Sequence, residues 1–189
     1  LTGAIVAIPA ALALPLFTYF VLSSGYRLNR ILAFFSPDKS LSTTYFQVAQ
    51  SEMAVGSGGL LGVSLGESVQ KMFFLPCAHT DFIFAIIGEE LGFIGAVGTI
   101  ALFAVLVWRG IRISLKAPGL FSQLTAAGLT FLIGTQALVN ISVVLGLSPA
   151  KGVPLPFLSY GRSSLIMTLI AVGLLLHISQ RRAIPKGAR

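Results

Sequence analysis

Long apolar runs separated by short polar breaks dominate this chain. Residues 1–24 carry no charge and end in Ser-Ser, just before Gly25, Tyr26 and Arg27. About 20 apolar residues cross a bilayer as a helix, so this run predicts a first membrane span. Pro9 and Pro15 fall inside it, which membrane helices tolerate. Residues 81–108 predict a second span, closed by Arg109, Arg112 and Lys116. Residues 120–147 predict a third, and residues 163–180 a fourth that leads into a basic tail with Arg181, Arg182, Lys186 and Arg189. Between the first two spans lies a polar, amphipathic segment, residues 25–80, too long to be structureless. It predicts short interfacial helices around 28–35 and 45–54 and a Gly-rich re-entrant turn within 55–66. The expected fold is all-α: a polytopic membrane helix bundle of four transmembrane helices with one long re-entrant, amphipathic loop.

Composition agrees with this pattern. The chain is 55% apolar and only 10% charged, with a mean hydropathy of +0.90, whereas soluble domains carry about 25% charged residues. The net charge of +7 then bears on topology and anionic-lipid contact. No basic-aromatic stripe points to nucleic acid. A single cysteine, Cys77, excludes an intrachain disulfide and a Cys-based metal cluster. The chain starts at Leu1 with no signal-peptide pattern, which reads as an N-terminally truncated part of a larger membrane protein.

Charge also sets the expected orientation. The 109–119 loop holds three Lys/Arg and no acid, and the tail holds four and no acid. Both read as cytoplasmic. The 25–80 loop, Asp81 and the 148–164 loop then face outward.

Acids are scarce, six in 189 residues, and three of them, Asp81, Glu89 and Glu90, lie within residues 75–93. An acid in or near a bilayer is costly and marks a functional-site hypothesis. Asp81 sits where the long loop meets the second span, wet and facing the membrane surface. Glu89 and Glu90 point about 100° apart on a helix, so at least one must be buried against protein. Hydrogen bonding to neighbouring helices and a mechanistic role stand as equal readings for them. Gly88, Gly92 and Gly95 form a small face suited to close helix approach. Gln136 and Asn140 are one turn apart on one face of the third span and must meet protein or a water-filled cavity. Interhelical bonding is the more frequent role for such a pair, and direct substrate contact the alternative.

Residues 148–164 carry three prolines and two glycines, which forbid a regular helix. Their only charges, Lys151 and Arg162, are cations. They suit a phosphate-bearing substrate or a snorkelling pair at the headgroups. The Gly56–Gly59 run offers either a backbone able to approach a ligand or a turn between short helices. No nucleophile–base pair and no zinc-type set is visible. Near the end of the last span, His177 reads as an interfacial residue.

Several runs resemble the SEDS family of FtsW, RodA and SpoVE. They are Tyr45-Phe46-Gln47, Gln50-Ser51, Ala54 to Gly59, Gln70-Lys71, Leu75-Pro76, Ala78 to Phe84, Gly88 to Gly92, Gln136 with Asn140, and Lys151 to Gly161. The resemblance implies a ten-span fold of which these four spans are the last. It implies a peptidoglycan glycosyltransferase that polymerises lipid II at the outer face of the bacterial cytoplasmic membrane, with Asp81 at the family's essential aspartate. The substrate-binding residues it suggests are Gln50, Lys71, His79, Lys151, Ser159 and Arg162. Glu89, Glu90, Gln136 and Asn140 line the cavity. A divalent cation, Mg or Mn, on Asp81 is a further expectation, as are a class B penicillin-binding transpeptidase and other divisome proteins as partners. The wording of residues 80–85 and 151–161 resembles the division-type FtsW branch, hence a septal location with a cytoplasmic C-terminus. A RodA-like shape polymerase, a lipid II flippase and a scaffold are the competing functions. A flippase would spread ionisable groups through the spans, and here only Glu89 and Glu90 lie deep. The family usually has Glu where Cys77 stands and Gly where Arg162 stands.

Overall fold

The computed structural model describes residues 43–64, 81–149 and 152–181. The expected span at 1–24, the helix around 28–35, Lys71, Cys77, His79, Lys151 and the tail from Arg182 lie outside the described residues. The chain divides into two compact units, residues 1–46 and 47–189. Of the first, only the start of a helix at Thr43 is described; the helix bundle belongs to the second.

The described residues form five helices and no strand. Helix α1 is Thr43–Ser57, α2 Ile83–Glu90, α3 Gly92–Lys116, α4 Leu120–Val144 and α5 Arg162–Arg181. Among the described residues, three stretches are long and apolar enough to cross a membrane: Gly92–Lys116, Leu120–Val144 and Arg162–Gln180. A helix of 25 residues rises about 37 Å, more than the hydrocarbon core needs. Large apolar side chains such as Leu102, Phe121 and Phe131 are exposed on these helices. In a bilayer that exposure is favourable, and the chain is an integral membrane protein.

Two helix joints decide the layout. Pro118 cannot continue α3, and Gly119 at φ +82° turns the chain into α4. The turn is tied by Ser114 Oγ donating to the Gln123 carbonyl at 2.9 Å and Gln123 Nε2 donating to the Ala117 carbonyl at 3.2 Å. Helices α3 and α4 make the most extensive helix contact. They approach where side chains are missing: a Cβ on Gly110 would collide with Thr130, and one on Gly134 would press on Val107.

The second joint departs from expectation. The apolar pattern over 81–108 predicts one continuous helix, but the structure breaks it at Leu91. Gly92 has φ +66°, left-handed backbone that L side chains avoid. The Gly-rich turn after α1 fills the break. Val63 N–H donates to the Glu89 carbonyl at 3.0 Å, and Phe93 N–H donates to the Gly59 carbonyl at 2.8 Å. Backbone groups freed from the helix are thus satisfied by another strip of backbone, as an apolar medium requires. The glycines are there for clearance. A Cβ on Gly58 would strike the Gly88 carbonyl, one on Gly62 the Glu90 carbonyl, and one on Gly92 the backbone of Leu60 and Gly62. The close approach is to protein backbone. The small face likewise meets α1 and this turn: Gly88 abuts Val55, while Gly95 abuts only Leu91 of its own chain segment.

Two buried clusters result. One gathers Val48 and Ala54 of α1, Phe84 to Ile86 of α2, Val143 and Val144 of α4, and Leu155. The other joins Ala126 and Ile133 of α4 to Ala171, Leu175 and Ile178 of α5.

Gly92→Leu in the complete gene product should sharply lower the yield of monodisperse protein. It adds roughly 1–2 kcal/mol of left-handed backbone strain to a direct backbone collision. Gly98, with open space around it, is the control: Gly98→Leu should purify as wild type. Equal yields and melting temperatures for the two variants would refute the wedge.

Candidate functional site

Asp81 lies just before α2, at the end of the bundle where α4 finishes. It is half-buried. Phe82 behind it is buried, and its carbonyl accepts the Ala85 N–H at 3.0 Å. This turn fixes Asp81 at the start of the helix. The basic joint between α3 and α4 lies at the opposite end of α4, where Arg112 stacks over the Trp108 ring at 4.0 Å.

Residues 152–161 return to Asp81 as a non-helical loop. The loop, expected to be non-helical and on the same membrane face as Asp81, is inserted into the protein. Leu155 and Pro156 are fully buried. Phe157, at φ +67°, packs on Phe103 of α3 with ring centroids 6.5 Å apart. Phe103 is eleven residues along α3 from Gly92, about 16 Å of helical rise. Leu155 belongs to the first buried cluster and Phe157 packs against the second. An irregular segment at such depth is tolerated only when its backbone is satisfied inside the protein.

Two amides on α4 supply that satisfaction. Gln136 Nε2 donates to the Pro154 carbonyl at 3.0 Å. Asn140 Nδ2 donates to the Val153 carbonyl at 2.6 Å and to the Asp81 carbonyl at 2.8 Å. Both acceptors are carbonyl oxygens, so only the amino side of the amide can face them. Interhelical bonding was the more frequent expected role for this pair. The structure makes it a clamp that holds the loop and Asp81 together. Gly152 completes the contact: a Cβ there would lie 3.3 Å from Asp81 Oδ2, and its φ is +60°. The loop backbone therefore walls one side of the Asp81 carboxylate.

The other expected site residues divide in three. Lys71, His79 and Lys151 lie outside the described residues. Ser159 is buried, and its Oγ accepts the Leu155 N–H at 2.6 Å. That bond closes the turn around Pro156 and draws the hydroxyl into the shape of the loop. Arg162 is exposed at the first residue of α5, and Gln50 is half-buried on α1. Next to Gln50, buried Ser51 places Oγ 2.7 Å from the Val48 carbonyl and 3.0 Å from the Val144 carbonyl. It ties α1 to the end of α4. Neither Ser51 nor Gly152 stands among the expected site residues. A small polar residue within an apolar run was the available signal for Ser51, and the Lys-Gly-Val-Pro run for Gly152.

Glu89 is buried at 3% exposure and Glu90 is partly buried. Both flank the helix break that the Gly-rich turn fills. Among the described residues, no three His, Cys, Asp or Glu side chains form a metal-holding group. Among the described residues, a divalent cation at Asp81 would draw its remaining ligands from water, backbone carbonyls or substrate oxygens. An apolar groove of about 850 Å³ runs between α3 and α4, lined by Phe103, Val107, Trp108, Phe131 and Leu138 among others. It is not lined by Asp81 or by the loop.

This arrangement has known counterparts. A family model described as a cell cycle protein, FtsW/RodA/SpoVE, matches residues 1–184. The chain is 52% identical over 170 residues to a probable peptidoglycan glycosyltransferase FtsW of Geobacter metallireducens, covering 90% of this chain and 45% of that protein. It is 52% identical over 164 residues to stage V sporulation protein E of Bacillus subtilis, covering 87% of this chain and 45% of the relative. The chain thus spans about half the length of the curated relatives it matches. Among solved structures, a chain of a peptidoglycan synthase complex that coordinates polymerization and crosslinking matches with TM-score 0.70 and 28% identity, over 97% of this chain and 50% of that one. The Thermus thermophilus rod shape determining protein RodA, solved as an Asp-to-Ala mutant, matches with TM-score 0.57 and 31% identity, over 95% of this chain and 58% of that one. With a match across nearly all its length, and with half its residues shared with those relatives, the chain belongs to the FtsW/RodA/SpoVE family of cell cycle proteins.

Proposed function

We propose that the protein is a peptidoglycan glycosyltransferase of the FtsW type, which polymerises lipid II into glycan strands at the outer face of the cytoplasmic membrane during septal wall synthesis. The observation that carries this reading is Asp81, held at the start of α2 against the backbone of residues 152–155. Relatives at about half identity bear the name of that activity. A half-buried carboxylate fixed at the end of a membrane bundle suits a general base acting on a hydroxyl of a membrane-anchored sugar.

Asp81 takes the proton of the acceptor sugar's 4-hydroxyl as that oxygen attacks the anomeric carbon of the donor. The new glycosidic bond forms as the bond to undecaprenyl diphosphate breaks. Lys71, Lys151 and Arg162 offset the charge of the departing diphosphate. Gln50 and His79 contact the sugars or the peptide. Ser159 acts through the loop that it shapes. A divalent cation held by Asp81 would supply further charge neutralisation at the diphosphate. The partners are a class B penicillin-binding transpeptidase, which crosslinks the product, and other division proteins. A structural neighbour drawn from a peptidoglycan synthase complex supports this pairing.

The decisive test is Asp81→Asn in the complete gene product, purified with its transpeptidase. It should fold and bind lipid II yet lose glycan synthesis by at least ~10²-fold, the lower end for removal of a general base. Asp81→Glu should fall between the two. Glycan length on a gel is the readout, and wild-type polymer from Asp81→Asn would remove Asp81 as the base.

Orientation has its own test. With Cys77 replaced, single cysteines at Lys39 and Lys151 should react with an impermeant thiol reagent in intact spheroplasts, and one at Arg112 should not. Labelling at Arg112 would invert the topology, with Asp81 then facing the cytoplasm.

A further inference from the structure

We propose that Asn140 is the positioning residue for Asp81, coupling the carboxylate to the loop of residues 152–155 through one amide. The proposal deepens the reading of Asp81 as general base and rests on it. Nothing in the sequence separates Asn140 from Gln136, one turn away on the same face. The contacts do. Gln136 donates to the loop alone, at the Pro154 carbonyl. Asn140 donates to both parties, the Asp81 carbonyl at 2.8 Å and the Val153 carbonyl at 2.6 Å. Its amide uses both protons of a single nitrogen, and its side chain is 2% exposed on a helix of 25 residues. A donor this buried has little freedom, and its position comes from the long α4 helix. Asp81 by contrast stands outside α2, in the turn that precedes it.

The second observation is the space at the carboxylate. Gly152 comes so close that an added Cβ would sit 3.3 Å from Asp81 Oδ2. A shift of the loop by a fraction of an ångström therefore opens or closes one side of Asp81. Asn140 fixes that spacing, because the same nitrogen holds the residue after Gly152 and the backbone of Asp81. Misplacement of a catalytic group by about 1 Å costs on the order of 10²-fold in rate. Loss of a contact to the loop alone costs substrate affinity first.

The two amides thus separate in steady-state kinetics. Asn140→Asp keeps size and shape but turns a shared donor into an acceptor facing two carbonyls. Asn140→Ala removes the donor without adding charge, and serves where the charged variant fails to fold. Activity is counted per monodisperse molecule, with lipid II polymerisation by the complete gene product and its transpeptidase as the assay. Either Asn140 variant should lower kcat by ~10- to 10²-fold with KM within about threefold. Gln136→Glu should raise KM with kcat largely kept. In an Asp81→Glu background, where the carboxylate is already displaced, Asn140→Ala should cost much less than in the wild type.

Unchanged kcat in Asn140→Ala with only a lower melting temperature would make Asn140 structural and overturn the proposal. So would full additivity with Asp81→Glu, or indistinguishable kinetic profiles for Asn140→Ala and Gln136→Glu. The parent reading fails separately, by an active Asp81→Asn, which is measured before Asn140 is altered and would overturn both.

Discussion

An apolar medium offers no partner to a free backbone N–H or carbonyl, and this constraint shapes the irregular segments described inside the helix bundle. Each unsatisfied group costs several kcal/mol in hydrocarbon. Among the described residues, the chain nevertheless leaves helical geometry inside the bundle at Leu91 and through residues 152–161. Each departure is matched by donors or acceptors outside a regular helix ladder. At Leu91 they come from the backbone of the Gly-rich turn. In the loop they come from Gln136, Asn140 and Ser159. The functional geometry is a product of the same requirement, since the amide that satisfies the loop also grips Asp81.

The two departures are mechanically linked through α4 and α1. Ser51 ties α1 to the last carbonyls of α4 at Val144, one turn beyond Asn140. The turn after α1 fills the break between α2 and α3. Helix α2 therefore has α1 and its turn at one end and the clamp on Asp81 at the other. With only eight residues and no side-chain cap at its start, such a helix has little stability of its own. Its neighbours hold it, and they hold Asp81 with it. The family resemblance in residues 45–59, 81–92, 136–140 and 152–161 maps onto this assembly, so these motifs are largely the parts that fit one another.

The long apolar runs, the scarcity of acids and the proline-rich loop were legible as sequence. They carried the all-α membrane architecture and drew attention to Asp81, Gln136 and Asn140. The break at Leu91 was not legible, because residues 83–108 form an uninterrupted helical pattern. A single left-handed glycine in such a run looks the same as a glycine packing helix against helix. The role of Ser159 was equally hidden. A serine in a loop gives no sign of which backbone N–H it will accept until the loop is seen to fold back and offer Leu155.

By itself, then, the sequence determined which segments must avoid water, which must not be helical, and which side chains are too costly at membrane depth to be incidental. Those are local properties, set by transfer free energy and backbone stereochemistry residue by residue. Partnership was decided only by the tertiary structure. Gln136 and Asn140 share a helix face and a chemistry, yet one meets the loop alone and the other meets both the loop and Asp81. Gly58, Gly62 and Gly92 are separated by up to 34 positions in sequence, yet they meet at one helix break. Such pairings depend on where distant backbone comes to rest, and the physical reason is that buried hydrogen-bonding groups must find each other across the fold.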